Sequence, residues 1–411
     1  MTDTSPFARH ISLDAMRGFA VMGILAMNII GFAMPEWAYV SPGVYGGETL
    51  ADQISWFFNF VFVDGKMRGL FSLLFGASMM LIIARAEAKG QNSAKVHYAR
   101  MFWLAMFGLA HFFFLWFGDI LFLYACVGSL AFLMHHWEVR KLIKWALIVY
   151  GLGFLLWAAQ FGSLQFLQWA ALQPGADPDI VSNYRAVMAS DDFNVNIAAE
   201  LALHRGGWSG IFADKLSEWW APLIAVAQGI TETLPLMMLG MAMQKSGFIT
   251  GEWAVADYRR WVWRLLPAGL LLSAIIAVVV WSTSFNLIHM LAAFLAWTAI
   301  PRLMVTIGYA ALLLILIQRL AGSAFLLRVA AAGRAAFTNY LGTTIVMTTI
   351  FYGYGLGLFG YVNRPALWLF VFGAWAIMLL WSKPWLERYH YGPLEWLWRS
   401  LTQMKLQPLR R

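Results

Sequence analysis

Apolar runs almost free of charge recur along this chain, and they leave it very few folds. Residues 18–34 contain no charged side chain over a length that crosses most of a hydrocarbon core. Lipid offers backbone N–H and C=O groups no partner, so such a run must bond internally, as a helix. Ten runs of this kind can be read: 18–34, 69–84, 101–117, 120–134, 145–160, 221–243, 265–281, 303–318, 335–352 and 365–382. Segment 54–63 is too short to cross alone and reads as interfacial or re-entrant, and 284–300 is a weaker eleventh candidate. The expected fold is all-α, a polytopic transmembrane helical bundle. It divides into a five-span half (1–160), a small helical cap (161–220) and a second five-span half (221–411) ending in an amphipathic tail.

Composition agrees with this class. Of 411 residues 61% are hydrophobic and 12% charged, against about 25% charged in soluble domains. A single cysteine, Cys126, excludes an internal disulfide. The first apolar run follows Arg9 and Arg17 and is long enough to stay in the membrane, so no cleavable signal is expected.

The net charge of +8 would suit a nucleic-acid partner, but its placement argues otherwise. With both termini in the cytoplasm, 22 of the 29 Lys and Arg fall in inside segments. That is the asymmetry of the positive-inside rule. Counting 284–300 as a span would invert everything after it and put Arg319, Arg328 and Arg334 outside, so it is rejected. The expected setting is the bacterial inner membrane, with the lipid bilayer as partner and no nucleic acid; a homodimer is compatible with it. The segment 161–220 then lies outside, with seven acids (Asp177, Asp179, Asp191, Asp192, Glu200, Asp214, Glu218) against three bases. No Gly-rich phosphate loop and no His or Cys set with metal-ligand spacing occurs, so no metal is expected.

Polar residues inside the spans are the candidate site. His111 lies eleven residues beyond Arg100, as Asn28 does beyond Arg17. Eleven residues of helix rise about 16 Å, which puts both at a similar depth. An imidazole there suits a general base, or a packing histidine bonded to a neighbouring helix. Asp119 reads first as a helix N-cap at the outer rim; contact with His111 requires the helix to break near Gly118. Glu232 sits mid-span, three residues before Pro235, which is expected to kink or open its helix. Its charge needs an Arg or His partner on another helix. Asp64, Lys66 and Arg68 stand on the outer side against the charge rule and are read as lining a polar cavity. Asp14 and Arg17 are spaced for an i, i+3 pair. Arg17 and Arg334, with Asn339 and Tyr340 beside the latter, are placed to clamp a phosphorylated donor.

The runs LDAMRGFAVMGILAMNI, KMRGLFSLLFG, GLAHFFFLWFGDILFLYACVG, ETLPLMMLGMA, GRAAFTNYL, FYGYGLGLFG and GPLEWLWRSLT together resemble the YeiB-like family of bacterial membrane proteins (domain of unknown function 418). The first span also looks like the opening of a wider superfamily of transmembrane acyltransferases. Leu13, Asp14, Arg17 and Gly18 match its pattern, while Asn28 stands where the acyltransferase-3 branch has histidine; a lysosomal acetyltransferase likewise has asparagine there. The resemblance implies acyl transfer from a cytoplasmic acyl-CoA to a small-molecule, lipid or glycan acceptor. His111 would then be the base or itself carry the acyl group, Asn28 would be the oxyanion donor, and Glu232 the group that sets the histidine's tautomer or pKa. The competing expectations are a proton-coupled transporter using Glu232 and His111, and a non-catalytic lipid-binding relative.

Overall fold

Where lipid rather than water surrounds a chain, the largest apolar side chains have no reason to turn inward. The computed structural model describes residues 6–190, 193 and 195–411, and its peripheral helices face outward with leucine, isoleucine and phenylalanine. Asp191 and Asp192 of the expected cap lie outside the described residues.

The chain begins with α1 (Pro6–Ala33), the short α2 (Glu36–Val40), α3 (Leu50–Phe62) and α4 (Lys66–Ala88). A hairpin follows of α5 (Ser93–Phe114) and α6 (Leu121–Phe132), then the long α7 (Val139–Ala171). Three short helices come next: α8 (Pro178–Met188), α9 (Ile197–Arg205) and α10 (Trp208–Ser217). The second half holds α11 (Ala221–Lys245), α12 (Val255–Ser282), α13 (Leu287–Ala292) with a π-helical turn (Ala293–Trp297), and α14 (Ala299–Arg319). It ends with α15 (Ala324–Arg334), α16 (Ala336–Phe351), α17 (Arg364–Arg388) and α18 (Pro393–Thr402). Among the described residues, seven segments are long and apolar enough to cross a membrane.

Burial separates hub from rim. The apolar stretch of α1 is 89% buried, whereas those of α7 and α12 are each 22% buried. Accordingly α1 packs on α4, α15, α16 and α17, while Leu152, Leu155 and Leu156 of α7 and Leu271 and Val278 of α12 are exposed. The crossing of α4 and α11 depends on two glycines. A Cβ on Gly76 would lie 2.0 Å from the Met237 carbonyl oxygen, and one on Gly240 1.9 Å from that of Leu73. Such small-residue contacts are how helices approach closely where no water drives them together.

Several edges differ from the sequence reading. The span expected at 145–160 belongs to a helix that continues to Ala171, because no breaker intervenes before Pro174 and Gly175. Segment 54–63 is part of α3, joined to α4 by a turn at 63–65 and so contiguous with the next span. Of the two expectations for Pro235, a kink or an opening, the opening does not occur: α11 continues through it. The stretch 284–300 yields only the short apolar helix 287–297.

Helices α8–α10 gather at one end of the bundle, here the cap end. Tyr352 and Phe359 enclose His204, whose ring stacks on Phe359 at 4.5 Å and whose carbonyl accepts from the Gly353 N–H at 2.8 Å. Glu200 accepts from the Glu36 N–H at 2.5 Å. Burial pushes the Glu200 carboxyl up to about 7 and holds the His204 imidazole down at about 4. The opposite, basic end carries Arg85, Arg100, Arg334 and the C-terminal segment, which folds back so that His390 N–H donates to Leu409 O at 2.9 Å.

Candidate functional site

Helix α5 stops at Phe114, and residues 115–120 turn sharply back into α6. The absence of a side chain at Gly108 permits the turn: a Cβ there would lie 2.3 Å from the Phe122 nitrogen. The turn brings Asp119 onto His111, with Nδ1 2.9 Å from Oδ1. The other carboxylate oxygen, Oδ2, accepts from the Phe122 N–H at 2.8 Å, so Asp119 also caps α6. The contact with His111 is made; the N-cap position of α6 itself is Ile120, and Asp119 holds the first turn from the residue before it. The imidazole is 1% exposed, and its Nε2 lies 3.0 Å from the Thr344 hydroxyl of α16. A carboxylate only accepts, so Nδ1 donates and Nε2 is left to accept from Thr344.

Neighbouring groups fix the turn from two further sides. Trp116 Nε1 donates to Gly31 O on α1 at 3.0 Å, and the Tyr340 ring lies 5.3 Å from that of His111. Three cavities meet here, of about 430, 300 and 240 Å³ from the basic end to the cap end. Ile120 lines the first and second, and Asp119 the second and third. His111 opens to none of them. It sits behind Tyr340, which faces the basic-end cavity, and beside a void of about 10 Å³ shared by Asn28, Tyr340 and Thr344.

The middle cavity holds a second cluster. Glu232 accepts from Arg68 Nη2 at 2.6 Å and from Arg302 Nη1 at 3.1 Å on each oxygen. Arg302 also donates to Phe294 O at 2.6 Å and to Thr298 Oγ1 at 2.9 Å, so the π-helical turn supplies its seat. The Glu232 charge has the arginine partners that its place in a span demands. It does not touch His111, because both of its oxygens are committed to guanidinium groups; Asp119 orients the imidazole instead. For the same reason Glu232 and His111 do not form a directly coupled proton pair.

Five arginines line the basic-end cavity: Arg17, Arg85, Arg100, Arg334 and Arg399. Among the described residues, two carboxylates line it with them. Asp14 pairs with Arg17 at 3.0 Å, and Glu395 is occupied in capping α16 through the Phe337 and Thr338 N–H groups. Arg100 stacks on Trp398 at 4.3 Å and Arg399 on Tyr391 at 4.6 Å. The excess of positive charge, on planar groups already held in place, suits a phosphate-bearing ligand.

The other expected residues are dispersed. Asn28 and Arg68 line the middle cavity, and Arg17, Arg334, Tyr340 and Asp14 the basic-end one. Asn339 lines neither: its amide donates to Ala332 O and Ser382 Oγ and accepts from Trp381. Lys66 is buried with its ammonium on Phe60 O, and Asp64 accepts from the Tyr39 hydroxyl at 3.2 Å beside a small separate void. The sequence reading missed Thr344 and Arg399, and gave Arg302 no role in a site. Arg302 in an apolar stretch was the available signal; a threonine in a span carries none.

A family model described as "Protein of unknown function (DUF418)" matches residues 242–405. The chain is 31% identical over 403 residues to a protein of Escherichia coli K12 named "Uncharacterized protein YeiB", covering 96% of each. It is 30% identical over 411 residues to "Uncharacterized protein YxaH" of Bacillus subtilis 168, covering 97% of this chain and 95% of that one. A Bacillus acidopullulyticus protein, "Uncharacterized 39.9 kDa protein in amylase 3'region", is 25% identical over 403 residues. No solved structure matches the chain.

Proposed function

We propose that this chain, which belongs to the YeiB-like family (DUF418) and is a multi-pass protein of the bacterial inner membrane, is a transmembrane acyltransferase. The donor is an anionic cytoplasmic thioester of acyl-CoA type, and the acceptor is a small molecule, lipid or glycan at the far face. In this reading the basic end is cytoplasmic. Both termini lie there, the helices follow ten crossings, and α8–α10 form an outer cap.

The observation that carries the reading is the buried His111 imidazole between a carboxylate and a hydroxyl, directly behind the wall of an arginine-rich cavity. Donor phosphates would bind Arg17, Arg100 and Arg399, with Arg85 and Arg334 at the mouth. Rotation of Tyr340 would admit the thioester. Asp119 holds Nδ1–H, so Nε2, which faces the Thr344 hydroxyl, is the nitrogen that would take a proton from an attacking hydroxyl or amine. Asn28, on the adjoining void, would donate to the developing oxyanion. The first-span match at Leu13, Asp14, Arg17 and Gly18 to transmembrane acyltransferases supports the same reading.

The test is release of free CoA thiol from acetyl-CoA by the purified protein in liposomes of its native lipid extract. Wild type is expected to release thiol, and His111→Ala, with unchanged thermal stability, to lose at least about 100-fold. Equal rates for the two would refute the assignment. A second reading, transport, draws on the string of three cavities that share Ile120 and Asp119. It predicts solute uptake with no thiol release, and a non-catalytic lipid-binding relative predicts neither.

A further inference from the structure

Thr344 is fully buried, and its hydroxyl has two acceptors within reach. The Tyr340 carbonyl, one helical turn back, is 3.4 Å away, long for an O–H···O bond. His111 Nε2 is at 3.0 Å and holds a lone pair, because Nδ1 carries the proton donated to Asp119. The hydroxyl proton is therefore directed at the imidazole. Hydroxyl, imidazole and carboxylate stand in the order and at the spacing by which a hydroxyl is activated as a nucleophile. On another side of Thr344 is the small void that Asn28 and Tyr340 also line.

We propose that Thr344 is the nucleophile of this site and carries the acyl group as an ester between donor and acceptor. The inference rests on the acyl-transfer reading and deepens it. In the first half-reaction the Thr344 oxygen attacks the thioester carbonyl while its proton passes to His111 Nε2. An Oγ1–carbon bond forms, the carbon–sulfur bond breaks, and the departing sulfur takes the proton from Nε2 to leave as a thiol. In the second, the acceptor's hydroxyl or amine attacks the ester and gives its proton to Nε2. The Oγ1–carbon bond then breaks, and Oγ1 recovers a proton from His111. Asn28 lies across the void, where its amide would meet the oxyanion of both steps.

The void beside Thr344 is only about 10 Å³, so the smallest acyl donor asks the least displacement of Tyr340. Acetyl-CoA is accordingly the probe.

The experiment is rapid mixing of the liposome-reconstituted protein with acetyl-CoA, followed by intact-mass and peptide mass spectrometry. A transient acetyl group on the peptide carrying Thr344 is expected in wild type. Thr344→Ser should retain both that adduct and thiol release. Thr344→Val keeps the shape without the hydroxyl and should lose the adduct and at least about 100-fold of the release. Thr344→Val releasing thiol at the wild-type rate, or acetyl found on His111, would overturn the nucleophile while leaving acyl transfer standing. Wild type releasing no thiol would overturn both. Loss of release in Thr344→Val and in Thr344→Ser alike, with both variants folded, would also count against it, since serine supplies the same hydroxyl.

Discussion

At position 119 one carboxylate serves two partners, closing α6 with one oxygen and fixing an imidazole with the other. Asp119→Asn separates these tasks. The amide oxygen can still accept from the Phe122 N–H, but its NH₂ then faces Nδ1 and favours the wrong tautomer. Thiol release should fall by about 10²–10⁴-fold with little change in melting temperature, as paired activity and thermal-denaturation measurements would show. Glu232 should behave in the opposite way. Glu232→Gln strips the anion from one buried guanidinium group, Arg302, and one half-buried, Arg68, and should destabilise the protein by up to about 3 kcal/mol, read as a lowered melting temperature in detergent. His111 and Glu232 were legible in the sequence because an ionisable group in an apolar run has to be explained. Thr344 was not, because hydroxyl side chains are ordinary in such runs and only the fold sets it against an imidazole. Asn339 misled for a related reason: a polar side chain beside a candidate site is as readily consumed by its own helix neighbours.

The helices obey close contact as much as hydropathy. A methyl group at Gly76 or Gly240 would strike the opposing backbone, so Gly76→Ala and Gly240→Ala should each cost about 1–3 kcal/mol, measured by thermal size-exclusion assays. Two groups on α9, the half-buried Glu200 and the buried His204, give its seat opposite pH dependences. Glu200 at about 7 lies above its ordinary 4.5, so its contribution to docking is present at low pH and lost as pH rises through 7. His204 at about 4 lies below its ordinary 6.5, so its contribution is present at high pH and lost as pH falls through 4. The slopes oppose each other across about pH 4.5–6.5. Glu200→Gln should therefore expose the histidine's dependence, with hydrogen exchange in 197–217 accelerating below about pH 6.5. An unchanged profile would contradict the pairing. The helical spans were readable from apolar length. The turn at Gly118-Asp119 between two spans was readable as well; what was not is the close approach of α6 to α5 that Gly108, two turns earlier, allows.

For the molecule as a whole, a basic mouth, a sealed imidazole and a salt-bridged middle cavity share one turn of chain. That layout is unusual for a passive bundle: each cavity is bounded by charged residues that the membrane makes expensive, and the two larger ones converge on Ile120. A route for a group rather than for a whole solute fits the arrangement, because the narrowest point holds the chemistry. The most direct measurement is a cryo-electron-microscopy structure with a non-hydrolysable acetyl-CoA analogue. The account predicts phosphates against Arg17, Arg100 and Arg399, Tyr340 turned aside, and the acyl carbon between Thr344 and His111. A lipid filling the arginine cavity while the analogue stays unbound, or the analogue's acyl end resting far from His111, would contradict it.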